Sequence, residues 1–324
     1  MGTTIQSLKG IIWGIIASFF LSSTFLINSL IAESGGHWAW TANLRTFFLI
    51  PILALVLLAN KKLRPLVQAM ILKPMIFIKW GIIGFGILYS FVALASLFAP
   101  GWMIAASFQM NIVFGILLAP FIYKDHRRKI PKQAVFLSLL ILVGVLVMQF
   151  EKADGLGNSS EIAISFILVL IGAIVWPLGN RKLMVDLEEN NLQLNAVQRV
   201  LGMSIGSIPL LIVLAIIGYT QSGLPPISQC QASLYSALLS GFLGGAAFYH
   251  ATQMVHKNPI AIAAIEATQA LEIIFTLLGE MILLGTSFPG TYGQIGMLIV
   301  FTGLILHFWN VLYQSKKRTE IAVS

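Results

Sequence analysis

Residues 260–284 read IAIAAIEATQALEIIFTLLGEMILL. A helix needs about 20 mainly apolar residues to cross some 30 Å of hydrocarbon, and this run is long enough. It nevertheless holds Glu266, Gln269, Glu272, Thr276 and Glu280. At roughly 100° per residue these five fall within an arc of about 120°. Ala263, Ala267, Ala270, Ile274, Leu278 and Met281 take the opposite face. An ionisable side chain at mid-depth costs at least about 2.5–3.5 kcal/mol, so it turns toward a bundle interior or a wet cavity. A polar stripe running from end to end of an apolar helix describes a helix that lines an aqueous path.

The rest of the chain supplies the bilayer. Of 324 residues, 57% are apolar and 10% charged, with a mean hydropathy of +0.88. A soluble domain carries about 25% charge, and disordered chains are charge-rich and apolar-poor. Both classes are excluded. The apolar runs predict ten membrane helices, at about 9–32, 38–59, 75–98, 102–123, 132–150, 162–180, 195–218, 233–255, 260–284 and 293–313. Gly and Pro punctuate them, as at Gly35-Gly36, Pro74, Pro100-Gly101, Pro225-Pro226, Pro259 and Pro289-Gly290.

The net charge of +8 is explained by topology, not by a nucleic-acid partner. With the N-terminus inside, 17 of the 20 Lys and Arg fall on the inner side, Lys152 falls outside, and Arg45 and Arg199 fall within spans. An odd change in span count would scramble that bias. The expectation is therefore an all-α integral membrane protein with ten spans and both termini cytoplasmic, in a plasma (inner) membrane. The apolar run after Lys9 exceeds the roughly 7–15 residues of a signal-peptide core and reads as a retained span. Cys230 is the single cysteine, so no internal disulfide forms and no Cys-rich metal site exists.

The chain repeats itself at an offset of about 154–160 residues, which divides it into a first five-helix repeat, 1–150, and a second, 151–324. Asn43-Leu44-Arg45 and Pro51 in the second span answer Val197-Gln198-Arg199 and Pro209 in the seventh; Pro100 answers Pro259, and Gly144 answers Gly303. Five is odd, so the halves insert with opposite orientation, an arrangement that places a substrate site near the midplane between repeats. Small residues at i+4 spacing predict close helix contacts: Gly10, Gly14, Ser18 and Ser22; Ser233, Ala237, Gly241 and Gly245; Gly202 and Gly206.

Other polar groups extend the candidate cavity. Span 8 carries Tyr249, His250, Gln253 and His256 on one side; span 4 carries Ser107 and Asn111 on one face; span 6 holds Trp176-Pro177-Leu178-Gly179-Asn180, where the proline permits a bend. At about 1.5 Å per residue, Glu266 lies level with Arg199 and Glu272 with Arg45. Two readings stand. Structural ion pairs make these charges tolerable, or the carboxylates exchange protons while Arg45 and Arg199 position solute. Gln269 and Gln253 also suit helix–helix hydrogen bonds, and Glu280 reads as interfacial.

An enzyme is disfavoured. There is no HExxH, no nucleophile elbow and no P-loop, so no cofactor, metal or direct use of ATP is expected.

These residues together resemble the drug/metabolite transporter superfamily, in its EamA-like ten-helix branch of multidrug resistance efflux transporters. The likeness is carried by Gly35-Gly36-His37-Trp38-Ala39-Trp40 with Leu44-Arg45 and Pro51, by Gln198-Arg199 with Pro209, and by Gly279-Glu280 with Gly303. The resemblance implies secondary transport through a cavity formed by spans 1–4 and 6–9, with spans 5 and 10 outside it. It also implies a departure. The four-helix small multidrug resistance proteins carry a glutamate inside their first helix, whereas span 1 here offers Ser, Thr and Asn. Coupling then falls to Glu266 or Glu272. The resulting expectation is proton-coupled efflux of a small organic solute by alternating access. The alternative is an uncoupled facilitator or exchanger of an anionic metabolite such as an amino acid or nucleoside-like compound. The partners are the solute, protons and the lipid bilayer, with the chain acting alone or as a homodimer.

Overall fold

The computed structural model describes residues 2–125, 128, 132–151, 159–254, 265 and 268–323. Every regular element among them is helical. The first half comprises α1 (Gly2–Glu33), α2 (Trp38–Ala59), α3 (Leu63–Leu72), α4 (Pro74–Gly81), a π-helical turn at Ile82–Ile87, α5 (Leu88–Ala95), α6 (Gly101–Phe108), α7 (Met110–Leu117), α8 (Ala119–Ile122) and α9 (Lys132–Met148). The second comprises α10 (Ser159–Glu189), α11 (Ala196–Gly206), α12 (Ile208–Ser222), α13 (Ile227–Ser236), a π-helical stretch at Ala237–Gly244, α14 (Gly245–Met254), a 3-10 turn at Thr268–Ala270, α15 (Leu271–Leu283) and α16 (Thr291–Val323).

Among the described residues, five helices are long and apolar enough to cross a membrane: Leu8–Glu33, Trp38–Ala59, Pro74–Ala95, Ser160–Glu189 and Ile227–Met254. The pair Ala196–Gly206 and Ile208–Ser222, bent by 48°, makes a sixth. The bend falls at Ser207, where Pro209 in the first turn of α12 removes a backbone donor. The runs expected at 102–123, 132–150 and 293–313 appear as the shorter apolar helices Gly101–Leu117, Leu139–Met148 and Thr291–Leu306. The expected inner loop after Ala59 contains α3, which packs on α11 and α4.

The interruptions recur. One π segment opens at Ile82 and the other at Ala237, 155 residues later. The helix break at Gln109 in the fourth run is matched by the 3-10 turn at Thr268–Ala270 in the ninth. π turns widen a helix locally and concentrate at functional sites.

Packing follows the glycines. Gly84, in the first π segment, crosses Gly179 of the Trp-Pro-Leu-Gly motif so closely that a Cβ on Gly84 would lie 3.0 Å from the Gly179 Cα. Gly202 and Gly206 receive Phe77, which is fully buried; a Cβ at Gly202 would stand 2.7 Å from its ring. Gly14 sits against Thr268, and Ser18 Oγ donates to the Thr268 carbonyl at 2.8 Å. Two of the expected stripes are therefore contact lines. The third holds only in part: Gly241 meets Leu49, but Gly245 has open space around it, and its neighbour Gly244 meets Leu21 instead.

Two large apolar cores result among the described residues, with two smaller clusters beside them. One joins α5, α6, α7, α9, α10, α15 and α16 around Trp102, Met103 and Ile141. The other joins α2, α3, α4, α10 and α11 around Leu49, Phe77 and Leu201. Tyr89 and Trp176 pack against both. α9 lies along α16.

Candidate functional site

The site lies where these cores meet. Arg45 enters from α2 and is 4% exposed. Its Nη2 donates to Ser240 Oγ at 2.9 Å, and its Cζ stands 4.0 Å above the Tyr89 ring. Ser240 belongs to the second π segment; it donates to the Ser236 carbonyl at 3.0 Å and accepts from Thr24 Oγ1 of α1 at 2.5 Å. Tyr89 contacts Phe85 at 5.6 Å between ring centroids, and Phe85 contacts Trp176 at 5.7 Å. The guanidinium thus touches α5 and the second π segment directly, and is linked to α1 through Ser240 and to the first π turn and α10 through Tyr89 and Phe85. The Nε and Nη1 atoms of Arg45 are sealed from solvent and have no hydrogen-bond partner. No carboxylate forms an ion pair with Arg45 among the described residues, where the recorded ion pair is Lys124 with Glu189 at 3.7 Å.

Glu272 is placed by the α1–α15 seam. Ser18 bonds Thr268 below it and Thr276 Oγ1 donates to the Ser22 carbonyl at 3.4 Å above it. Glu272 stands between those two contacts, 7% exposed, and accepts no hydrogen bond from a described residue. The expected pairing of Glu272 with Arg45 is not made in this packing. Glu266 lies outside the described residues, as does His256.

Glu280, expected near the interface, is fully buried within the protein and not solvated, and accepts the backbone N–H groups of Gly101 at 2.6 Å and Trp102 at 3.1 Å. These are orphan donors at the start of α6, where a carboxylate also meets the positive end of the helix dipole. A Cβ on Gly101 would come within 2.8 Å of Glu280 Oε1 and 2.7 Å of Ser29 Oγ, so the contact requires glycine. Glu151, 3% exposed, does the same for the start of α16, accepting from Gly290 at 2.6 Å and from Gly293.

The other expected site residues disperse. Ser107 is buried and accepts from Gln149 Nε2 at 3.2 Å, which ties α6 to the end of α9. Asn111 and Gln269 are half-buried, at the breaks in the fourth and ninth runs. His250 is exposed, its ring 4.9 Å from Trp13 in an edge-on contact, and Gln253 is also exposed. Arg199 is half-buried, donates to the Leu194 carbonyl at 3.2 Å, and borders a cavity of about 390 Å³ lined by Met184, Leu187, Glu188, Leu192, Gln193 and Leu194.

Tyr89, Ser240 and Thr24 were not singled out from sequence. Hydroxyls in apolar helices usually bond a carbonyl one turn back, as Ser90 does to Gly86, and so give no signal of their own. Only the fold brings Ser240 to Arg45, 195 residues apart in sequence. The His37-Trp38-Ala39-Trp40 motif ties the start of α2 to the segments at Gly223 and Gln229. His37 accepts from the Ala39 N–H, Trp40 Nε1 donates to the Gly223 carbonyl at 3.0 Å, and Gln229 donates to the His37 carbonyl and to Thr41 Oγ1.

Comparison with known proteins is consistent with this architecture. Residues 8–313 match the model of the family described as "EmrE: Putative multidrug resistance efflux transporter". The chain is 38% identical to the uncharacterized protein YjlA of Bacillus subtilis (strain 168), over 93% of this chain and 94% of that one. It is 34% identical to an uncharacterized 42.1 kDa protein from the intracellular alkaline protease 3' region of Shouchella clausii, over 82% and 70%. A solved structure described only as "Crystal structure of protein" superposes with a TM-score of 0.57 at 16% identity, covering 91% of this chain and 94% of the other, a likeness of fold.

Proposed function

The chain belongs to the EmrE-type multidrug resistance efflux transporter family, a family of multi-pass membrane proteins, and from that premise we propose that it is a proton-coupled secondary transporter exporting a small organic solute by alternating access. The carrying observation is Glu272: a carboxylate 7% exposed, beside a break in its helix, with no described hydrogen-bond partner. A structural carboxylate in hydrocarbon is held by donors, as Glu280 and Glu151 are. One left without them suits a group that gains and loses a proton in each cycle. Glu266, six residues earlier in the sequence, is the second proton site in this reading.

The proposed architecture is ten spans in two inverted five-helix repeats, 1–150 and 151–324, with both termini on the cytoplasmic side of the plasma membrane. The recurrence of π turns at Ile82 and Ala237, and of breaks at Gln109 and Thr268, supports the repeat. Discontinuous helices at the repeat interface are where transporters bind their cargo. In this orientation Glu280 and Glu151 close the outer end, while the cavity beside Arg199 opens at the inner end. Arg45, Trp176 and Arg199 would line the path, with Asn111 and Gln269 at its hinges.

The test is flux into proteoliposomes under an imposed pH gradient, with ethidium and benzenesulfonate as cationic and anionic probes. Gradient-driven, saturable movement of at least one probe is expected in the wild type, with loss of gradient dependence in Glu272→Gln. Gradient-independent flux in both proteins would favour the facilitator. Absence of saturable flux for every probe would remove the transport reading.

A further inference from the structure

Resting on that reading, we propose that the transported solute is an organic oxyanion, a carboxylate, sulfonate or phosphate monoester on an aromatic or apolar body, and that Arg45 is the residue that binds its charge.

Arg45 lacks partners for most of its donors. A guanidinium offers five N–H donors and no acceptor. Here one nitrogen meets Ser240, and the flat face rests on Tyr89. Nε and Nη1 are sealed and unmatched. A charge removed from water needs both a counter-charge and hydrogen bonds to be tolerated. Arg45 has no ion pair among the described residues. A guanidinium also cannot shed its proton in a protein, so unlike Glu272 it has no neutral form to retreat to. A ligand oxyanion supplies what is missing, the negative charge and acceptors for the unmatched donors, in the geometry that Arg binds best.

The surroundings describe the remainder of the ligand. From Arg45 a run of rings leads through Tyr89 and Phe85 to Trp176. Tyr89 and Trp176 are only half-buried, at the junction of the two cores. Phe85 is buried between them, so the faces on offer beside the cation are Tyr89 and Trp176, and these suit an anionic head with an aromatic or apolar body. The second π segment contributes directly, through Ser240, and the first through Phe85 packed against Tyr89.

The experiment uses the full chain in lipid nanodiscs, with two probes of similar shape and opposite fixed charge, benzenesulfonate and phenyltrimethylammonium. Sodium chloride and methanesulfonate at equal concentration serve as anions without a ring. The readouts are the shift in thermal unfolding and counterflow in proteoliposomes. Benzenesulfonate is expected to stabilise the wild type and to show counterflow, with phenyltrimethylammonium and chloride inert and methanesulfonate weaker. Arg45→Gln should lower the apparent affinity for benzenesulfonate by about tenfold or more, the scale of one lost charge-assisted contact. Arg45→Lys should keep the anion preference with weaker binding. If Arg45→Gln does not fold, Arg45→Lys and Ser240→Ala carry the comparison, each weakening benzenesulfonate without creating a response to the cation. Preference for phenyltrimethylammonium, an equal response to chloride, or benzenesulfonate binding unchanged in the folded variants overturns the proposal. Movement of ethidium with no response to benzenesulfonate would sink the anion assignment alone and leave transport standing.

Discussion

Glu280 and Glu272 occupy the same helix, α15, and differ in what surrounds them. Glu280 answers two backbone amides that no carbonyl can reach at the start of α6. Removing it leaves buried N–H groups unmatched, at about 1–3 kcal/mol for such a group. Glu280→Ala should therefore lower the unfolding temperature measured by tryptophan fluorescence in detergent, and Glu280→Gln, which keeps an acceptor, should lower it less. Equal stability of all three proteins would show that the cap is not required. Glu272→Gln should behave differently, leaving stability within about 1 kcal/mol while abolishing pH-gradient dependence, because no described partner is lost with the charge. Arg45 was legible in the sequence because a cation in an apolar run is conspicuous. The contacts of Glu280 were not legible, because a glutamate at a helix end, followed by Gly285 and a polar turn, looks the same whether water or another helix lies beyond it.

At the scale of elements, the crossings depend on backbone contact. A side chain at Gly84 would strike the Gly179 backbone, which cannot yield as a flexible side chain can. Gly84→Val should cost about 1–3 kcal/mol or prevent accumulation of folded protein. Gly245→Ala meets nothing within 4 Å and should be neutral or stabilise by up to about 1 kcal/mol, through the usual helix preference for alanine. Thermal unfolding of the pair checks both; loss of stability in Gly245→Ala alone would contradict the packing. The extent of α2, at Trp38–Ala59, is readable from hydropathy, whereas the bend of the seventh run beside Pro209 was not expected from sequence. The π turns are not readable either. They change which carbonyl each amide meets without changing the apolar composition, and Ile82–Ile87 and Ala237–Gly244 look like ordinary helix. That is also why the stripe through Gly245 fails: uniform i+4 spacing was assumed across a stretch where the helix is widened.

For the whole molecule, orientation is the most exposed element of the account. Cys230, the single cysteine, is partly accessible and lies between α12 and the second π segment. With ten spans and an inner N-terminus it faces outward. A membrane-impermeant maleimide should label it in intact cells, and Cys230→Ser should remove the label. Labelling only after permeabilisation would reverse the topology. The central claim concerns coupling, and one measurement addresses it directly: the pH inside pyranine-loaded proteoliposomes when benzenesulfonate or ethidium is added outside. The account predicts a solute-dependent proton movement in the wild type that disappears in Glu272→Gln. Proton movement of equal size in both proteins, or solute movement with no change in internal pH, would contradict it.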